Sequence, residues 1–395
     1  MTDPLGQSQV LPYIIGLGKH GYKFHLVSFE KVDRFKEHRA HISEICRAND
    51  ISWHPQDYQL EGGLKKTLKQ VRRLNKVADF LQERHHFDAV HCRSYISALT
   101  GVRLKKKYGI PFLFDMRGFW ADERVDGGLW NLSSPIYRTI YRFFKRKEIQ
   151  FLTEASHTVS LTENGKAELL SWDKTPKNTK VEVIPCCVDL ELFNPNTIIP
   201  EEQAQLKEQL GIPNNAYVLG YVGSIGTWYM LSEMLDYFKS LLQSQPSAVF
   251  LFVTRESKEM LRNEAEQKGI PVEKIYVTST LHHGVPKHIA LFDSSIFFIR
   301  PTFSKKASSP TKQGEIMAMG IPLVCNSGIG DTDYIVKKYQ SGIVLDKFNE
   351  TAYLEARIDE FVYNREEIIE GAHHYFSLEE GVRRYLGIYN SMMHD

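Results

Sequence analysis

Short apolar runs alternate with stretches of helical periodicity along almost the whole chain. Residues 23–29 (KFHLVSF), 89–92 (AVHC), 111–116 (PFLFDM) and 157–160 (HTVS) read as short buried strands. Between them, residues 64–83, 95–107, 134–153 and 163–171 repeat apolar positions every three to four residues, the period of a helix with one buried face. The rhythm resumes with apolar runs at 217–223, 248–254, 274–278, 295–299, 322–325 and 342–345. Strands alternating with helices build parallel sheets covered on both faces. The two series are separated by residues 184–213, which hold prolines at 185, 195, 200 and 213. The pattern therefore predicts an α/β protein of two doubly wound domains, residues 1–187 and 214–372, joined by a linker at 188–213, with a cleft at the C-terminal edges of their sheets. A loop-like segment, DPLGQSQVLP, already begins at residue 3, where such a domain needs a buried strand ahead of it. The first strand of the N-terminal domain is accordingly expected to be missing.

Composition narrows the class. Of 395 residues, 42% are hydrophobic and 25% charged, values that exclude a disordered chain. No apolar run approaches the ~18 residues that cross a bilayer, and residues 1–10 have neither the basic nor the apolar region of a signal peptide. A soluble, cytoplasmic protein is expected. Five cysteines at 46, 92, 186, 187 and 325 include no C-x-x-C, so buried thiols are expected rather than a disulfide framework or zinc site. The net charge of +1 conceals an asymmetry. Residues 1–187 carry 30 Lys and Arg against 21 Asp and Glu, and the remainder 19 against 27. A basic half joined to an acidic half suggests different partners for each.

Several segments carry candidate chemistry. In SSPTKQGEIMAMGIPLV (308–324), Ser308, Ser309 and Thr311 offer hydroxyls ahead of a helix starting near Thr311. Its N-terminal NH groups with Lys312 suit a phosphate or diphosphate, and Glu315 suits a vicinal diol such as ribose. A capped surface helix with a capping box explains the same pattern. In YVGSIGTWYM (221–230), Gly223 and Ser224 follow a strand and allow close backbone approach to a ligand, or form a plain strand-to-helix turn. Gly6, Gln7 and Ser8 sit at the mouth of the first helix as a diphosphate or sugar contact, or an ordinary loop. Asp115, Arg117, Asp122, Glu123 and Arg124 crowd the end of a buried strand, where α/β ligands bind, though a surface ion-pair network fits equally. His282 and His283 precede Gly284 without further metal-ligand spacing, and are expected near a nucleotide base or exposed.

Taken together, the segments at 3–30, 183–195 (VIPCCVDLELFNP), 221–230, 285–301 and 308–331 resemble glycosyltransferase family 4, retaining enzymes of the GT-B fold, across nearly the whole chain. Their order and spacing are more specific than any one of them. The resemblance implies two Rossmann-like domains, with residues 373–395 as a closing helix that returns to the first domain. It implies transfer of a sugar, with retention, from a nucleotide-diphosphate sugar to a saccharide or lipid-linked acceptor of polysaccharide or glycolipid assembly. No cofactor or metal is implied, the nucleotide sugar being a substrate. Glu315 matches the second glutamate of the family's Glu-(seven residues)-Glu motif, whereas the first falls on Ala307. Ser309, Thr311 and Lys312 are left to supply the local contacts that the first glutamate makes to the donor sugar, and, since the Arg and Lys that often follow the glycine loop are also absent, Arg255 or Arg300 is left to supply charge to the diphosphate. The family's early-strand histidine has no match, and Asp115 or Arg117 occupies that neighbourhood as an acceptor-side group, with Asp122 nearby. Lys312, Glu315 and Arg117 are the expected catalytic residues. Two rivals remain at this stage: a GT-B nucleotide-sugar epimerase, and a silent sugar-nucleotide-binding subunit. Basic runs at 65–76, 105–107 and 137–147 point to an anionic membrane surface or lipid-diphosphate acceptor rather than nucleic acid, for which no module is present. In the last run Tyr137, Ile140, Tyr141 and Phe144 take helical spacing, interleaved with Arg138, Arg142, Lys145 and Arg146; the same spacing fits apolar residues that face the domain core while the charges are merely solvated.

Overall fold

Val-, Leu- and Phe-rich runs of three to eight residues form strands that pair in parallel, while the amphipathic stretches between them cover the sheets as helices. The structure is a computed structural model and describes residues 1–58, 63–360 and 362–394. It divides into two units: Met1–Pro185 with Leu378–Asp395, and Cys186–Ser377.

In the second unit, β7 (Val218–Val222), β8 (Val249–Val253), β9 (Ile275–Thr278), β10 (Ser294–Ile296), β11 (Leu323–Asn326) and β12 (Gly342–Leu345) form one sheet, ordered β12-β11-β10-β7-β8-β9. The chain starts at the centre with β7, winds outward to β9, then returns to β10 on the other side. That reversal between β7 and β10 is the switch point at which doubly wound sheets open a ligand crevice. Every residue of β7 and β8 is buried, and Phe250 and Phe252 stack across β8 at 4.0 Å between centroids.

The first unit holds two sheets among its described residues. β1 (Phe24–Lys31) pairs with β2 (Ile51–Tyr58), and β3 (Val90–Arg93), β4 (Phe112–Asp115), β5 (His157–Ser160) and β6 (Val181–Val183) follow in chain order. A helix at Pro4–Gln9 precedes β1, and no strand comes before it among the described residues. Most of β1 is half-buried, in contrast to the fully buried β4.

Three expectations change. β2 was missed because ISWHPQDY carries polar residues and Pro55, tolerated on a strand bonded along only one edge. Residues 188–213 are no linker: they belong to the second unit, where Val188, Phe193 and Ile212 are core residues and Pro200–Gln209 is a helix. The return to the first unit begins at Leu378, since the preceding helix Arg365–Phe376 stays in the second. All five cysteines are buried, and burial pushes the Cys92 thiol up to about 12.

At the centre of β7, a Cβ on Gly220 would lie 2.2 Å from the Phe292 ring. Gly220→Ala is expected to cost about 1–3 kcal/mol or more through overpacking. Thermal unfolding of the variant should begin several degrees lower; an unchanged melting curve would contradict the packing of Phe292 on β7.

A buried lysine at the end of the central strand

The second unit gathers the strongest candidate site just past β7. Gly223 takes φ +105° and Gly226 φ +32°, so the chain leaves the strand through conformations that favour glycine. The turn then runs back along the segment after β10: Met230 N–H donates to the Phe298 carbonyl at 3.0 Å, and Arg300 N–H to the Trp228 carbonyl at 2.9 Å. This places Tyr229 beside Tyr221, with ring centroids 5.8 Å apart. The helix Thr311–Ala318 sends Lys312 between them. Its Nζ lies 3.7 Å from the Tyr229 ring centroid and 4.0 Å from that of Tyr221. A Cβ on Gly223 would come within 3.3 Å of that Nζ.

Lys312 is buried, and its Nζ has no hydrogen-bond partner among the described residues. Two tyrosine faces attract a cation but do not replace its lost hydration. Burial therefore holds its pKa well below the ordinary lysine range, with Glu315 pulling weakly the other way. An anion placed beside Nζ would favour the charged form that burial disfavours. Trp228, the residue before Tyr229, holds a second lysine that sequence reasoning passed over: Lys305 is buried with Nζ 3.7 Å from the Trp228 ring. Its signal was present: it stands seven residues before Lys312, in the stretch that carries Ala307 instead of glutamate.

The other second-unit candidates spread over this neighbourhood. Glu315 is largely buried and faces His282, whose Nε2 is 3.5 Å from Oε1. This contact raises the His282 pKa against the effect of burial. His282 is thus tied to the glutamate rather than a simple loop histidine. Ser309 Oγ accepts from the Cys186 N–H at 3.1 Å, and Thr311 opens the helix half-buried. Ser224 is exposed, with its carbonyl accepting from the Tyr221 hydroxyl at 2.6 Å. Arg255 and Arg300 are exposed beyond β8 and β10. Ala307 is buried in the turn Phe303–Ala307, so no carboxylate stands at that position.

The first-unit candidates have different surroundings. Gly6 is buried against the Met1 backbone, and Gln7 Nε2 donates to the Thr2 carbonyl at 3.3 Å; both support their own segment. Asp115 does not project from the sheet edge but is fully buried. Its Oδ2 lies 3.2 Å from Arg93 Nη1, 3.2 Å from the Tyr385 hydroxyl and 3.4 Å from His91 Nε2. Burial alone would raise its pKa, yet Arg117, His91 and Arg93 hold it well below the ordinary range. Arg117 itself takes φ +58°, a strained backbone for arginine, with Nη1 4.0 Å from Asp115 Oδ1. Strand register already juxtaposes Arg93 and Asp115, whereas Tyr385 arrives from the distant helix Leu378–His394. Asp122 is buried too, accepting from the Tyr141 hydroxyl at 2.8 Å and Lys145 Nζ at 2.9 Å. Lys145 also pairs with the buried Glu148. Asp122 is therefore part of an internal network rather than an open acceptor contact.

The basic helix Pro135–Glu154 divides its faces accordingly. Phe144, Tyr141 and Lys145, expected on a membrane-facing stripe, point inward. Outward stand Ile136 (61% exposed), Tyr137, Phe143 (40% exposed), Arg138, Arg142 and Arg146. In the run 65–76, the side chain of Lys65 lies outside the described residues.

Comparison with known proteins agrees with this architecture. Anabaena Alr3699/HepE, solved in complex with UDP and glucose, superposes with a TM-score of 0.68 at 14% identity over 98% of both chains. The D-inositol 3-phosphate glycosyltransferase of a Nocardioides species is 23% identical over 352 residues, 84% of this chain and 72% of that protein. The protein of the same description from Salinispora arenicola is 27% identical over 142 residues, 35% of this chain and only 30% of that relative's length. Two units of parallel sheet and helix that superpose in this way give the protein the GT-B fold. The family description Glycosyltransferase Family 4 matches residues 10–192, and Glycosyl transferases group 1 matches residues 202–373. The chain belongs to glycosyltransferase family 4.

Asp115 supplies a pH-dependent prediction. Its folded pKa is depressed, so its contribution to stability is present above the ordinary carboxylate pKa of about 4 and is lost as pH falls below it. Asp115→Ala is expected to cost about 3–5 kcal/mol near pH 7 by leaving Arg93 and Arg117 uncompensated. Urea unfolding across pH should show the gap between wild type and variant closing in acid; a constant gap would contradict the assignment.

Proposed function

We propose that the second unit binds a nucleotide-diphosphate sugar with its diphosphate at Lys312, and that the protein transfers the sugar, with retention, to a hydroxyl of a saccharide or lipid-linked acceptor. One observation carries the reading: a buried lysine without a hydrogen-bond partner, beside Gly223 at the switch point of the sheet. The absence of a Cβ on Gly223 leaves room for diphosphate oxygens to approach the ammonium. Glu315 accepts hydrogen bonds from the ribose diol, and Ser309, Thr311, Gly223 and Ser224 line the approach. Negative charge grows on the leaving diphosphate in the transition state, where a desolvated ammonium acts more strongly than in water. That diphosphate takes the acceptor proton, so no resident cofactor is needed. The Anabaena fold relative, which holds UDP and glucose, supports this donor class. Arg117, held in a strained conformation past β4, is the first unit's contribution to the acceptor side.

Donor binding at a lysine with a depressed pKa draws in a proton. Affinity for a nucleoside diphosphate should fall as pH rises above the lowered pKa of the free amine, with proton uptake visible by calorimetry in buffers of different ionisation enthalpy. Lys312→Met should abolish that uptake and lower kcat more than it raises KM. Glu315→Gln should weaken donor binding about ten- to a hundredfold, the range for a charged hydrogen bond of about 1.5–3 kcal/mol. Unaltered uptake and affinity in the two variants would place the donor elsewhere.

We further infer that the first unit works at the inner face of an anionic membrane. Ile136, Tyr137 and Phe143 share the outward side of one helix with Arg138, Arg142 and Arg146. Apolar and aromatic groups enter the headgroup region while each arginine near the surface adds about 1 kcal/mol. Co-sedimentation should occur with anionic vesicles, weaken with salt, and fall when the three arginines become glutamine. Equally poor recovery with neutral and anionic vesicles would dismiss the membrane.

A further inference from the structure

The first unit contains a basic pocket lined by none of the residues assigned to the donor. It is a cavity of about 550 Å3 between β1, β2 and the helix Gly63–His85. His25 comes from β1, His54 from β2, and Lys76, Arg84 and His85 from the helix. His25 Nδ1 is 3.1 Å from His54 Nε2, and the His25 and His85 ring centroids are 4.2 Å apart. Phe87 packs on His25 at 5.0 Å, closing the cluster from the segment before β3. Ser52 and Gln56 add neutral polar groups from β2.

No carboxylate lines this pocket among the described residues. The acidic groups of the same helix are engaged elsewhere: Asp79 with Arg103 at 2.7 Å, and Glu83 with the Tyr108 hydroxyl at 2.8 Å. At the rim, Asp57 is 3.4 Å from Arg73, whose Nε also donates to Gln56 Oε1 at 2.8 Å. Burial and the charges of neighbouring imidazoles lower the pKa of His25 and His54. Two cations, Lys76 and Arg84, thus meet three imidazoles with no carboxylate among the lining residues, and an anion is the occupant that matches the cations and draws protons onto the imidazoles. The remaining wall is apolar: Val77, Leu81 and Phe80, the last 60% exposed beside the charged groups. An anion with an apolar extension satisfies both parts of the lining, whereas a nucleic-acid backbone would leave Phe80 unused.

We propose that this pocket binds the phosphate of a phosphate monoester that carries an apolar chain, a site distinct from the donor lysine of the second unit. The phosphate sits among His25, His54 and Arg84, the chain along Val77 and Phe80, and a proton taken up by the imidazoles accompanies it.

Calorimetry on the full chain with inorganic phosphate and with octyl phosphate, at about pH 6 and about pH 8, tests this directly. Octyl phosphate should bind at least tenfold more tightly than inorganic phosphate, and about tenfold more tightly at the lower pH. Arg84→Gln and His54→Gln should each weaken it about tenfold; Arg84 is exposed, so its variant retains the fold. Lys174→Gln, at an exposed position of the first unit outside the pocket lining, should leave it unchanged, and donor binding by Arg84→Gln should equal wild type. Absence of binding at either pH, affinity insensitive to both pocket variants, or loss in Lys174→Gln instead would overturn the site. Equal affinity for both ligands would overturn the apolar half and assign the pocket to free phosphate. Because the donor residues lie outside this pocket, failure of the donor reading would appear in the Lys312 variant and not here.

Discussion

A lysine side chain removed from water with no hydrogen-bond partner for its nitrogen among the described residues is an expensive thing to build into a fold, and the second unit is arranged around one. Lys312 is held in place by the tyrosine rings of β7 and of the turn that follows. Moving Tyr221 would disturb the central strand, and moving Tyr229 would break the contact between residues 228–230 and 298–300. Gly223 matters for the same reason: its bare backbone keeps the space beside Nζ open. Fold and chemistry are therefore coupled at the switch point, where a side chain on the glycine would crowd the cation and a shorter residue at 312 would leave two aromatic faces without it.

The first unit solves the opposite electrostatic problem. Asp115 is a buried anion surrounded by more positive charge than it carries, from Arg93 and Arg117 with His91 adjacent. Tyr385 and Tyr389 bring the final helix to the same cluster: Tyr385 reaches Asp115, and the Tyr389 hydroxyl is 2.8 Å from His91 Nδ1. The carboxylate thereby joins strand ends to a segment almost three hundred residues away in sequence. Its structural engagement shifts attention to Arg117, whose positive φ is maintained at the edge of β4. Strain retained next to a buried carboxylate is the kind of feature that accompanies a binding or catalytic role.

Much of this organisation could be read along the chain because the second unit's strands are fully buried and uniformly apolar, as at β7 and β8. β2 escaped notice because it is a polar, proline-containing strand bonded along one edge. The segment 188–213 looked like a linker from its prolines, yet Phe193 and Ile212 insert into the second core. Local composition does not reveal such docking, which depends on distant neighbours. Among site residues, Lys312 and Glu315 were legible because a helix start carries local signals. Lys305 and His282 were not assigned their places because their partners, Trp228 and Glu315, lie 77 and 33 positions away. Asp115 and Asp122 were misread as outward groups since periodicity identifies an acidic residue at a strand end without showing what has closed over it.

The same burial sharpens the meaning of the charge asymmetry. Counted along the sequence, the first 187 residues carry nine more basic than acidic groups. Asp115, Asp122 and Glu148 are buried in internal networks, and Glu30 is buried too, its pKa lowered to about 2 by hydrogen bonds from the terminal amine, Ser28 and Thr2 against the effect of burial. Several of the basic groups stand outside, including Arg138, Arg142 and Arg146. Acids withdrawn into the interior no longer offset basic groups at the surface at short range, because surface potentials depend on local charge and screening limits more distant contributions. The face presented by the Pro135–Glu154 helix is therefore more basic than composition alone indicates. The same helix contributes Lys145 to the internal network through Asp122 and Glu148. Its inward charge stabilises the unit while its outward charge remains available to an anionic partner, so one basic stretch of sequence serves two purposes that only burial tells apart.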